Sequence, residues 1–250
     1  MNSFLSSVAP GLTRFESNPK IIIGFSRLED GGMSMNRGEK TECLIRRERF
    51  FSRFHWRLKQ TVWGELEHSN KVEFVSEADV GKGAFAMNDA IPQTDGLWTT
   101  TPNLLLCTTH ADCLPLYYVI PQTSAVGIAH CGWRGIVNGL PQKMIQCAIE
   151  KLHVEVGDFI VGIGPGIRVE CFEVGEDLLD KFPEKAIARH DGKWFVDLPA
   201  VVKYNLTQAG VKLIQIDDSG LCSKCTPLFS SFRRDQSSVE PAVAFIGIRS

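Results

Sequence analysis

The stretch Leu106–Gly135, LCTTHADCLPLYYVIPQTSAVGIAHCGWRG, decides how this chain is read. Leu104–Thr108 and Ala125–Ala129 are apolar runs of strand length, and Leu114–Val119 between them is a third. Short continuous apolar runs bounded by turn residues are expected of strands buried on both faces. At their ends stand Asp112, Cys113 and His130, followed by Gly132-Trp133-Arg134-Gly135. Groups able to hold a metal ion, placed where buried strands surface, point to a site rather than to a packed core.

The flanking sequence supplies further elements. Ile21–Phe25 reads as a buried strand, Ser26–Gly38 as a loop around a Gly-Gly pair, and Glu39–Phe54 as a helix whose arginines form a solvated face. Val72–Val75 is a short strand just after His68, and Ser76–Thr94 an extended loop. The apolar spacing over Ile136–Leu152 predicts a helix beginning near Asn138–Gly139, because Pro141 is tolerated only in a first turn. Phe159–Ile163 is a strand ending in Gly164-Pro165-Gly166, and Val174–Asp180 a short helix. Asp197–Ala209 is a helix with Asp197 as N-cap, Pro199 in the first turn and Gly210 after its end. Leu213–Ile216 and Ala242–Ile248 are the last strands.

Bulk properties bound the function. The 250 residues, 44% apolar and 22% charged, can bury a core without disulfides. With a net charge of −2 the chain has no global pull toward nucleic acid or an anionic membrane, so neither is expected as a partner. No basic, apolar signal peptide and no membrane-length apolar run occurs, which gives the expectation of a cytoplasmic protein. Residues 1–20 read as a leader and 21–250 as one mixed α/β domain, since no linker divides the chain. Nothing in the sequence sets the oligomeric state. The eight cysteines are scattered; only Cys222 and Cys225 form a CxxC, read as two structural thiols.

A catalytic zinc takes three protein ligands and keeps a fourth position open. His68, Cys113 and His130 suit that in kind, each standing next to a strand. His110, three residues before Cys113, and Cys131 are rival ligands, although neighbours in a strand face opposite ways, so His130 and Cys131 should not share a pocket. A reading without metal makes Cys113 a nucleophile, His130 or His68 its base, and Asp112 the group that orients the histidine. Arg27, before a Gly-Gly loop, and Arg134 suit an anion such as phosphate, and with Asp112 they are the candidate substrate-binding residues; Gly164-Pro165-Gly166 permits close backbone approach to a ligand. Arg233 and Arg234 could contact an anion or be solvated, and His55, His153 and His190 are expected at the surface.

HADCLPLYY, AHCGWRG, GIGPGIRVECFEVG, DLPAVVKYNLTQAGV, and CSKC followed by FSSFRRD occur in that order. Together they resemble the laccase-domain (YfiH-like) family, once called polyphenol oxidases and now regarded as purine nucleoside phosphorylases. The resemblance runs from about Ile21 to the C-terminus. It implies a mixed α/β sandwich similar to the catalytic domain of cytotoxic-necrotizing-factor toxins. It also implies one zinc held by Cys113 of ADC, His130 of AHCGW and His68, and it brings Arg27 toward the pocket. The activity implied is phosphorolysis of adenosine, inosine and methylthioadenosine, with deamination of adenosine. A copper-dependent phenol oxidase and a non-catalytic protein that keeps the pocket are the alternatives. The sequence departs from the family pattern at Leu66, where glutamine is common, at His110 in place of threonine, at Cys131 in place of a small residue, and in SFRRDQSSVEP, which lacks the last arginine.

Overall fold

The computed structural model describes Leu12, Phe15 and residues 19–250. Its centre is two sheets packed face to face. One has four strands, in the order β1 (Ile21–Phe25), β13 (Ala242–Ile248), β5 (Leu105–His110) and β2 (Thr61–Trp63). The other has six, in the order β12 (Ile216–Asp218), β8 (Ile160–Ile163), β6 (Leu114–Ile120), β7 (Ala125–Cys131), β4 (Gly96–Thr99) and β3 (Val72–Phe74). A small third sheet holds β10 (Ile187–His190), β11 (Lys193–Val196) and β9 (Glu173–Val174).

The apolar runs explain the layering. Every residue of β6, β7 and β13 is buried, because each strand has side chains on two covered faces. Along β7, Val126 and Ile128 enter the core between the sheets with Ile23, Leu106 and Ala244. Ala125, Ala129 and Cys131 point the other way, into a core shared with the helices. That outer layer is α2 (Trp133–Val137), α3 (Leu140–Leu152) and α4 (Leu198–Gln208). α3 sets Leu140, Met144, Ile145 and Ala148 against the sheet, and full burial of a Leu, Ile or Met contributes at most about 1.5–3 kcal/mol. The outer face of the four-stranded sheet is covered by Phe50 and Phe51 of α1 (Lys40–Ser52). The result is a mixed α/β sandwich of helix, sheet, sheet and helix, as expected, and no helix among the described residues is long and apolar enough to cross a membrane.

The start of α3 is as read. Gly139 adopts the left-handed conformation at its N-cap with φ 81°, and Pro141 lies in the first turn. α4 likewise begins on Asp197, whose carboxylate accepts from the Ala200 amide.

Three expectations need correction. Leu213–Ile216 is not a strand: Leu213–Gln215 is a 3-10 turn with Leu213 and Ile214 exposed, and pairing begins only at Ile216. Val174 ends a strand, and a 3-10 helix at Glu176–Lys181 follows Gly175. The arginines of α1 are not all solvated. Arg47 is fully buried; it donates to the carbonyls of Met33, Gly83 and Ala84 and stacks on Trp63 at 3.7 Å. The leader falls largely outside the described residues, but its Leu12 and Phe15 are buried, with Phe15 edge-on to Tyr117 and both against Gly162.

Candidate metal centre

The alternation that builds the sheets also builds the site. β5 ends at His110 and β6 begins at Leu114, so Ala111-Asp112-Cys113 crosses from one sheet to the other. His130 continues the inter-sheet face of β7, and Cys131 faces the helices. Cys131 is therefore excluded from the pocket by strand geometry. Gly132 turns the chain into α2.

His68, Cys113 and His130 converge, their candidate ligand atoms all lying within 4.8 Å of one another. Cys113 Sγ is 3.8 Å from His68 Nε2, and the two imidazole centroids are 4.8 Å apart. The residue that organises them is Asp95, fully buried just before β4. His130 Nδ1 donates to Asp95 Oδ1 at 2.8 Å, which leaves Nε2 for the pocket. The same carboxylate accepts the backbone amides of Glu67, His68 and Ser69 and the Ser69 hydroxyl. These bonds hold His68 in a left-handed conformation, φ 58°, aimed at Cys113.

Gly132 makes the room. A Cβ there would lie 2.5 Å from His68 Cδ2 and 3.0 Å from Cys113 Sγ. The space it leaves, two imidazoles, a thiol and a carboxylate behind one imidazole together fit a borderline-soft divalent cation with a position to spare.

The charges agree. Burial pushes the Cys113 thiol up, but the His130 charge and hydrogen bonds from His130 and His68 outweigh it and bring the thiol down to about 6. Burial would lower His130, but the Cys113 thiolate and Asp95 carry it up to about 10. Thiolate and imidazolium face each other, and a divalent cation binding there takes the place of the imidazolium proton.

The other candidates resolve as follows. His110 has both nitrogens engaged: Nδ1 donates to the Cys113 carbonyl at 3.0 Å, so Nε2 accepts from the Thr108 hydroxyl at 2.8 Å. It supports the Cys113 turn and has no lone pair left for a metal. Asp112 does not orient a histidine; its oxygens accept from Ser223 Oγ and the Arg233 amide, fastening the same turn from outside. Arg27 stands two residues after Phe25, which packs on His110, at the same end of the sheet as the cluster. Arg134 is exposed and stacks on Trp133 at 4.5 Å. Arg234 binds Asp235 and three nearby carbonyls. His55, His153 and His190 are exposed as expected.

The family described as multi-copper polyphenol oxidoreductase laccase matches residues 26–249. The chain belongs to this family. Among its relatives is a protein of Bacillus subtilis (strain 168) named purine nucleoside phosphorylase YlmD, 30% identical over 94% of this chain and 91% of that protein. Another, from an unknown prokaryotic organism, is named adenosine deaminase RL5 and is 28% identical over 70% of this chain and 71% of its own length. The solved structure of YlmD from Geobacillus stearothermophilus superposes with a TM-score of 0.89 at 29% identity, covering 93% of each chain. That of YfiH from Bacillus licheniformis gives 0.88 at 29% identity, covering 92% of this chain and 93% of that one. The fold is thus the family's, and relatives of this family bear the names of purine nucleoside enzymes.

Proposed function

We propose that this protein is a zinc-dependent purine nucleoside enzyme that deaminates adenosine and cleaves adenosine, inosine and methylthioadenosine with phosphate. One observation carries the reading: two imidazoles and a thiolate converge on a space kept open by Gly132, with Asp95 fixing one imidazole from behind. The names borne by the relatives supply the substrate class.

His68, Cys113 and His130 would hold the zinc, which would supply Lewis acidity toward a water near neutral pH. The chain's own residues do the rest. Asp95 holds His130 in the tautomer that offers Nε2, and its bonds to residues 67–69 keep His68 in place. His110 and Asp112 hold the Cys113 turn from its two sides. We assign Arg27 to phosphate, where a guanidinium fork pairs with two oxygens, and Arg134 to a supporting contact with the same anion. Phosphorolysis needs phosphate in line with the bond to C1′ and a proton for the departing purine.

The purified protein with one zinc at this site is incubated with adenosine, with and without phosphate, and the products are separated by chromatography. Inosine without phosphate, and adenine plus ribose 1-phosphate with it, are expected. Cys113→Ser is expected to lose the metal and both reactions; full turnover by that variant overturns the proposal.

The same donor set suits copper, the metal in the family's description. Copper content together with oxygen uptake on a phenol separates an oxidase from a nucleoside enzyme. Metal retained without turnover of any nucleoside or phenol would leave a binding protein.

A further inference from the structure

The CxxC is not a pair. Cys171, carried by the turn before β9, reaches Cys222 and Cys225, and all three sulfurs lie within 4.8 Å of one another. Cys171 Sγ is 3.1 Å from Cys225 Sγ. All three are free thiols. We propose that they form a second, all-thiolate site for a thiophilic d10 cation, distinct from the His68/Cys113/His130 centre, with Zn²⁺ as the reference ion.

Three features favour a ligand over simple packing. First, the two turns are registered on each other by backbone bonds: Gly166 pairs with Cys222, and the Ser223 amide donates to the Gly166 carbonyl at 3.1 Å. Second, Arg168 clamps the cysteines together: its carbonyl accepts the Cys171 amide at 2.9 Å while its Nε donates at 3.1 Å to the carbonyl of Leu221, the residue before Cys222. Third, Cys225 is exposed while Cys171 and Cys222 are buried, so the cluster opens to water on one side. An exposed free thiol is not there to fill a core.

The dimensions suit the ion. Tetrahedral zinc with bonds of about 2.3 Å sets its sulfurs about 3.8 Å apart, longer than the 3.1 Å between Cys171 and Cys225 and inside the 4.8 Å that bounds all three. The open side admits a water as fourth ligand. Zn²⁺ displaces the thiol protons to the buffer, and no oxidant or reductant takes part.

The location gives the site a consequence. Ser223, between the two cysteines of the CxxC, donates to Asp112, and Asp112 precedes Cys113. An ion at the three cysteines fixes the turn that holds Asp112, so loading it stiffens the support of the other centre without supplying a ligand to it.

The test is metal stoichiometry on the full chain, stripped with chelator under reducing conditions and reloaded with Zn²⁺. The double variant Cys222→Ser/Cys225→Ser is expected to bind about one equivalent fewer than wild type. Cys113→Ser removes a different equivalent, so failure at one centre is separable from failure at the other. Wild-type thiol labelling needs no variant: peptide mapping is expected to show Cys171, Cys222 and Cys225 protected from a maleimide by Zn²⁺. Equal zinc content in the double variant and wild type, or equal labelling of these three with and without Zn²⁺, overturns the proposal. So does recovery of a Cys171–Cys225 disulfide that zinc cannot prevent.

Discussion

Asp95 and His130 are joined by a 2.8 Å hydrogen bond, with the carboxylate fully buried. Burial alone would raise the Asp95 pKa, yet the bond from His130, its charge and the bonds from Ser69 hold it below the ordinary value. One carboxylate thus fixes two of the three candidate ligands, His130 by its ring and His68 by its backbone. Asp95→Asn keeps the volume and loses the charge. It is expected to weaken zinc about 10–100-fold, measured by competition with a chromophoric chelator. Unchanged affinity would mean that Asp95 only packs.

Gly132 has an ordinary φ of −70°, so alanine is allowed there by the backbone and forbidden by the space. Gly132→Ala is expected to displace His68 and Cys113 and abolish zinc binding at that centre. The melting temperature of the chelated protein should change little, because the clash is with the half-buried side chains of His68 and Cys113 and not with the core. Metal analysis beside a thermal melt checks both halves.

The Cys113/His130 pair gives a pH signature in chelated protein. A thiol lowered from 9.0 to about 6 stabilises the fold above that range, and the contribution is lost as pH falls through 6. A histidine raised from 6.5 to about 10 stabilises it at lower pH, and the contribution is lost as pH rises through 10. Between the ordinary values of 6.5 and 9.0 folding moves a proton from sulfur to nitrogen. Alkylation of Cys113 should therefore rise with a midpoint near 6, followed by mass spectrometry of the labelled peptide. A midpoint near the ordinary 9.0 would contradict the pairing.

Arg47 tests the fold apart from the site. Its guanidinium serves three buried carbonyls and lies on Trp63. Arg47→Ala strands those carbonyls and opens a cavity, so denaturant unfolding is expected to show a loss of about 3 kcal/mol or more. A loss under about 0.5 kcal/mol, the range of a surface change, would contradict this.

The sheets were legible because β6, β7 and β13 are apolar on both faces, and such runs have few other readings. The period of two in β7 was enough to separate His130 from Cys131. What escaped the sequence had no period. Asp95 precedes a strand without a motif of its own, so only the folded chain reveals that it reaches His130 and residues 67–69. His68 was legible only as a histidine next to a short strand, to which the resemblance added weight, since a left-handed loop residue leaves no spacing to read. Gly132 lay in plain view in GWRG, yet the space it preserves depends on a loop 64 residues earlier. Arg47 carries the charge of its exposed neighbours, and its burial depends on carbonyls from two distant loops. Leu213 and Ile214 show the converse error: apolar residues read as a strand stand exposed on a turn.

Anomalous diffraction from zinc-loaded crystals at the zinc absorption edge tests the central claim most directly. The account predicts a peak about 2.0–2.3 Å from His68 Nε2, Cys113 Sγ and His130 Nε2 at once. No peak among those three atoms, or a peak there bound through His110 or Cys131 instead, would contradict it.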